Sequence, residues 1–135
     1  MMERTLVVAK PDAVKNNNIG EMIRRFEAES LKVVALKMKT LSKEASQLLY
    51  REHCEKSFFN GLVESTSSGP VALMVLEGKD AISKVRGLMG TTDPKKAMKG
   101  TIRHDMGTDI GANAVHGSDS SETAAFEIPL FFSSL

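Results

Sequence analysis

The stretch N-A-V-H-G-S-D-S, Asn113 to Ser120, gathers much of the chain's reactive chemistry into one short segment. His116 offers an imidazole, which is both nucleophile and base near neutral pH. Gly117 removes a side chain where a substrate or phosphate needs close approach. Asp119-Ser120-Ser121-Glu122 reads as a capping box, with Asp119 at the N-cap of a last helix and Glu122 three residues on. A helix start is also an anion site, so Ser118 and the free backbone N–H groups are expected to face a phosphate. Farther along that helix, Glu127 can fold back to accept from one ring nitrogen of His116 and leave the other free. The plainer reading stands beside this one: a histidine at a strand end with a structural role.

The cations that would complete such a site are scattered as Lys10, Arg86 and Arg103. Each also reads as a solvated surface charge. Phosphoryl transfer nevertheless requires this kind of set, because its transition state spreads negative charge over oxygens that positioned cations and N–H donors stabilise. The overall charge does not supply it: 18 basic against 17 acidic residues leave +1. A general affinity for nucleic acid is therefore not expected, and phosphate binding has to be local.

Other chemistries lack their carriers. The chain has no G-x-x-x-x-G-K-[ST], no G-x-G-x-x-G and no H-E-x-x-H. Cys54 is the lone cysteine and the histidines are His53, His104 and His116, too few for a structural zinc site or a disulfide framework. No window approaches the length of apolar chain that spans a bilayer, and no secretory leader opens the sequence, so a soluble cytoplasmic protein is expected.

Short elements must position these groups. Thr5 to Ala9 is a valine-rich strand expected to stop at Lys10-Pro11-Asp12, since proline cannot donate to a ladder. Ile19, Met22, Ile23 and Phe26 recur at helical spacing and predict a helix over 19–29. Leu31 to Thr40 alternates as a strand, with Val34, Leu36 and Met38 on one face. Helices are expected near Ser42 and over 56–65, a central strand over 71–76, and a helix marked by Ile82, Val85 and Met89 that ends at Gly90. Thr91 to Gly111 reads as a long loop, Asn113 to Val115 as a fourth strand, and 120–130 as the last helix. One α+β domain over 1–135 follows, with the ferredoxin-like βαββαβ order, a four-stranded antiparallel sheet, extra helices and a long loop before the last strand.

Joined to K-P-D at Lys10 to Asp12, the N-A-V-H-G-S-D-S segment resembles the nucleoside diphosphate kinase family. Y-R-E-H-C-E-K-S-F-F from Tyr50, V-R-G-L-M-G-T-T-D-P from Val85, G-T-I-R from Gly100 and E-I-P-L-F-F from Glu127 agree in order and spacing, over essentially the whole chain. The resemblance implies a ping-pong enzyme that moves the γ-phosphate of a nucleoside triphosphate, usually ATP, onto a histidine and then onto a nucleoside diphosphate such as GDP. A nucleotide-sensing or protein-histidine phosphotransfer module on the same fold is the alternative.

Carried over residue by residue, His116 matches the phosphorylated group, and Glu127 with Ser118 matches the pair that positions its ring. Lys10, Tyr50, His53, Arg86, Thr92, Arg103 and Asn113 match contacts to phosphates and sugar, while Phe58 and Leu62 match the wall on which the base stacks. Asp119 falls where the family places an acidic residue near Mg²⁺, held mainly through the nucleotide's phosphates. His104, Met106 and Phe131 depart from the usual family residues, and the end at Leu135 fits a compact bacterial-type member. The resemblance also implies a homo-oligomer, tetramer or hexamer, with the short tail favouring the tetramer. The apolar finish L-F-F-S-S-L, with Phe131 and Phe132, supplies a physical motive for association.

Overall fold

The computed structural model describes residues 2–135, so Met1 lies outside it. Strand β1 spans Met2–Ala9 and is followed by helices α1 (Pro11–Lys15) and α2 (Ile19–Ala28), then by β2 (Lys32–Thr40). Next come α3 (Lys43–Leu49), a 3₁₀ turn at Arg51–His53, α4 (Phe59–Thr66) and β3 (Pro70–Lys79). The chain closes with α5 (Ala81–Met89), α6 (Ile102–Met106), β4 (Val115–Gly117) and α7 (Ser121–Phe131). The strands form one antiparallel sheet in the order β2-β3-β1-β4, as the βαββαβ pattern requires.

Helices cover both faces of the two central strands, which explains their unbroken apolar runs. On one face Val7, Ala9, Met74 and Leu76 pack with Met22 and Phe26 of α2 and with Val85 and Met89 of α5. On the other, Leu6, Val8, Leu73 and Val75 meet Leu49, Tyr50, Leu62 and Phe131. Phe131 is thus buried, and Phe132 packs half-buried under the Lys37 ammonium, 4.7 Å from its ring centre. The C-terminal rings are therefore core, which overturns the expected adhesive tail. Exposed apolar side chains are found elsewhere, among them a pair on the outer strand β2, where Leu36 and Met38 are 50% and 51% exposed. These two share a sheet face with Met74 and Ala72 of the core but stand at its margin, past a bulge between Val33 and Ala35.

Three local expectations change. Two helices of five residues, α1 and α6, occupy segments that read as turn and loop; Pro11 opens α1 at its first turn, where its missing N–H costs nothing. The last strand begins two positions later than expected, so His116 lies inside β4 opposite Val8 rather than beyond it. The cap of α7 is Ser120, not Asp119: its backbone is extended at φ −156° and ψ 169°, and its Oγ accepts from the Thr123 N–H. Thr123 answers at 2.9 Å from the Ser120 N–H, closing the box that Glu122 was expected to close.

Candidate active site

β1 ends by burying a lysine. Lys10 is 2% exposed, and its Nζ donates to Asn113 Oδ1 at 2.8 Å and lies 5.6 Å from the Tyr50 ring centre. Burial first, and Arg103 second, pull its pKa down to about 7, against the pull of Asp12 and Asp109. α6 supplies Arg103, 6% exposed, whose Nη atoms donate to the carbonyls of Gly90 at 3.2 Å and Val115 at 2.9 Å. Burial, then Arg86, lowers its pKa to about 10, and its Nε has no partner. Arg86, from α5, donates to the Gly117 carbonyl at 3.3 Å. Such a cluster of like charges is destabilised by desolvation and mutual repulsion, and an anion relieves both.

His116 faces this cluster from β4. Its Nε2 is 3.0 Å from Glu127 Oε1, and the same oxygen accepts from Ser118 Oγ at 2.8 Å. A carboxylate there sets the neutral tautomer, with the proton on Nε2 and the lone pair on Nδ1, which has no protein partner among the described residues. The Tyr50 ring meets the imidazole edge-on, with centroids 5.3 Å apart at 88°, and fixes its tilt. Burial pushes the Tyr50 phenol up to about 12, so it stays neutral, and its oxygen accepts from Thr66 Oγ1.

One cavity is lined by His116, Glu127, Lys10, Tyr50, His53, Phe58, Leu62, Arg86, Thr92, Arg103, Asn113 and Asp119. Of the candidate catalytic, nucleotide-binding and metal residues, only Ser118 stays off this wall. It is fully buried and bonded to Glu127 and to the Leu6 backbone, so its hydroxyl does not face a phosphate. Gly117 also has a different reason from the expected one. A Cβ there would come within 2.5 Å of Met89 Sδ and 3.0 Å of Val85, so its smallness lets α5 pack on β4 and brings Arg86 to the strand. Asn113 bridges Lys10 and the Thr92 carbonyl, 3.1 Å from its Nδ2, tying the loop over the cleft.

At the mouth, Phe58 is 36% exposed and flanked by His53, with ring centres 5.7 Å apart. The His53 Nδ1 is buried without a partner. Asp119 lines the cavity with one oxygen accepting from Thr123 Oγ1 at 2.7 Å. No three His, Cys, Asp or Glu side chains converge on a metal position among the described residues. Of the departures in the closing loop, Met106 packs on the core and His104 pairs with Asp105 at 3.0 Å. Arg51, Glu52, Ile110 and Thr123 also line the cavity and had not been singled out; Arg51 is held there by stacking on Phe126, 3.8 Å from the ring centre. Only the position of Thr123 at the start of α7 offered a signal.

The profile of the nucleoside diphosphate kinase family matches residues 3–135. The chain is 58% identical over 135 residues to a nucleoside diphosphate kinase of Nitrosomonas eutropha, covering all of this chain and 96% of the relative. It is 57% identical over 130 residues to nucleoside diphosphate kinase 1 of Protochlamydia amoebophila, covering 96% and 92%. Among solved structures, the Aquifex aeolicus nucleoside diphosphate kinase superposes with a TM-score of 0.95 at 44% identity, covering 99% and 97% of the two chains. A halophilic nucleoside diphosphate kinase from Halobacterium salinarum in complex with CDP gives 0.94 at 46% identity, over 99% and 90%. With matches of this extent laid over a cleft lined by a histidine and two buried cations, the chain belongs to the nucleoside diphosphate kinase family and is a phosphotransferase.

Proposed function

We propose that the protein exchanges γ-phosphates between nucleoside triphosphates and diphosphates by a ping-pong reaction through Nδ1 of His116. The carrying observation is that Lys10 and Arg103 are buried in the cleft that His116 lines, each held below its ordinary pKa by burial and by a neighbouring guanidinium. Nδ1 attacks the γ-phosphorus of ATP; the N–P bond forms as the bond to the bridging oxygen breaks, and ADP leaves. A terminal oxygen of the incoming diphosphate then attacks the same phosphorus, and the N–P bond breaks. Glu127 accepts from Nε2–H throughout and offsets the charge that the ring acquires. Lys10, Arg86 and Arg103 hold the oxygens that gather charge, while Asn113, Thr92 and His53 orient the phosphates and sugar. The wild-type protein incubated with γ-labelled ATP should retain an acid-labile label that GDP removes.

Phe58 would stack the base against the wall formed by Leu62. Stacking accepts any base, since each presents a π-face, and is worth about 1–3 kcal/mol per base. Phe58→Ala should therefore raise KM roughly tenfold for ADP, GDP and CDP alike. A rise confined to one nucleotide would contradict a stacking role. The complex of the Halobacterium salinarum relative with CDP supports a nucleotide in this cleft.

Kinases of this family generally use Mg²⁺. The donor set fits a metal carried by the nucleotide, because Asp119 keeps an oxygen free of protein partners beside the cleft. Asp119 would hold the ion from the protein side, and bound Mg²⁺ would supply neutralisation of phosphate charge. No helix among the described residues is long and apolar enough to cross a membrane, and an exposed free thiol at Cys54 supports a reducing, cytoplasmic setting.

The outer strand β2 supports a homo-oligomer. Its free edge and the exposed Leu36 and Met38 form an apolar strip that a second copy of the chain can cover by pairing edge to edge. A native mass that is a multiple of one chain is expected, with tetramer ahead of hexamer. Leu36→Glu combined with Met38→Glu should reduce that mass, and an unchanged assembly would remove β2 from the interface.

A further inference from the structure

Directly before β4 stands a residue in an unfavourable conformation. Ala114 is fully buried with φ +74°, a left-handed backbone that side-chain-bearing residues rarely adopt. It lies between Asn113, the partner of the Lys10 ammonium, and the strand that carries His116. Something must hold it there, and both its backbone groups are held by the K-P-D segment. The Lys10 N–H donates to the Ala114 carbonyl at 2.9 Å, and the Ala114 N–H donates to Asp12 Oδ2 at 3.1 Å. The Asp12 carboxylate is itself anchored, accepting from its own N–H and from that of Ala13 in the first turn of α1.

We propose that Asp12 is a positioning residue for phosphoryl transfer, clamping Ala114 in its left-handed conformation and thereby setting Asn113 and His116 against the Lys10 ammonium. The proposal rests on the reading of His116 and Lys10 given above. Without the carboxylate, the Ala114 N–H is buried with no partner, and the strained turn keeps only the Lys10 N–H on the Ala114 carbonyl and the Val115 N–H on the Asn113 carbonyl. The segment then relaxes toward an ordinary backbone, and Asn113 and His116 shift together. A second consequence is electrostatic. The charged groups facing Lys10 are Arg103, which lowers its pKa, and Asp12 and Asp109, which raise it; Asn113 and Tyr50 contact it as neutral groups. Asp12 thus also helps keep the ammonium charged.

The two roles separate by mutation. Asp12→Asn retains an oxygen able to accept from the Ala114 N–H but removes the charge. It should lose less of kcat than Asp12→Ala, yet move the alkaline fall of kcat/KM to lower pH, because the Lys10 ammonium has lost an anionic neighbour. Asp12→Ala should lower kcat about 100-fold, the scale of a displacement of roughly 1 Å at a reacting group. Adding Ala114→Gly to Asp12→Ala should restore part of that loss, since glycine adopts positive φ without strain. Thermal melting of each variant reports folding independently. Label on wild-type His116, with an Asp12 series that matches wild type in kcat and in its alkaline limb, overturns the Asp12 role alone. Absence of label on the wild type overturns the site reading and the Asp12 role together.

Discussion

Replacing His116 by alanine is expected to lower kcat by on the order of 10⁴-fold or more and to abolish the acid-labile label. Everything else in the cleft should survive the change. The side chain is only 14% exposed and its neighbours, Tyr50, Glu127 and Ser118, are held by other elements, so the variant should fold and still bind nucleotide. The loss should therefore fall on kcat, with nucleotide affinity changed little. Such a split identifies a group that acts in the chemical step rather than in binding. Labelling of His116→Ala at the wild-type level would instead place the phosphate on another side chain. The geometry also specifies the atom. Because Nε2 is occupied by Glu127 at 3.0 Å, the phosphate should be recovered as the Nδ1 isomer of phosphohistidine.

The sequence exposed the proposed nucleophile but not the reason for its surroundings. The helices whose apolar residues recur at helical spacing, α2 and α5, lie within one residue of the bounds expected from Ile19 to Phe26 and from Ile82 to Met89. Five residues make little more than one turn, so α1 and α6 carry no readable period, and α6 is the element that delivers Arg103. A three-residue strand likewise shows no alternation, and the left-handed Ala114 ahead of β4 hides where it starts. Asp119 and Ser120 are both good capping residues with plausible partners downstream. Only the backbone conformation of Ser120 chooses between them. Gly117 illustrates the same limit: its missing side chain reads as room for substrate, while the crowding atom belongs to Met89 on another element. Burial is the hardest property to read at a polar residue. Lysine at a strand exit suggests solvent, yet here the residue is nearly inaccessible and its neighbours arrive from distant parts of the chain.

That burial makes Lys10 costly to the fold and, in the proposed mechanism, useful to the reaction, and Lys10→Met separates the two. Removing one preorganised charge from developing phosphate oxygens typically costs about 10²–10³ in rate, so kcat/KM should fall by that order. The wild-type kcat/KM should also decline above about pH 7, because the free enzyme's ammonium loses its proton there, and this limb should be missing from the variant. Stability should move in the opposite sense. A lysine in the unfolded chain titrates near 10.4, whereas folded Lys10 titrates at about 7, so between these values the unfolded state binds more protons. Wild-type stability therefore rises with pH across that window, and below about 7 the folded chain bears the full cost of a buried cation. Lys10→Met, an apolar chain of similar length, escapes that cost and should melt at a higher temperature than wild type at pH 6, with the gap closing toward pH 10. Nucleotide should reverse the order, because its phosphates give the wild-type ammonium close anionic partners in addition to Asp12 and Asp109. At pH 8 wild-type binding should accordingly take up a proton, seen as a dependence of the binding enthalpy on buffer ionisation, and the variant should take up less. A variant that is slower and also less stable at pH 6 would mean that Lys10 serves packing rather than charge.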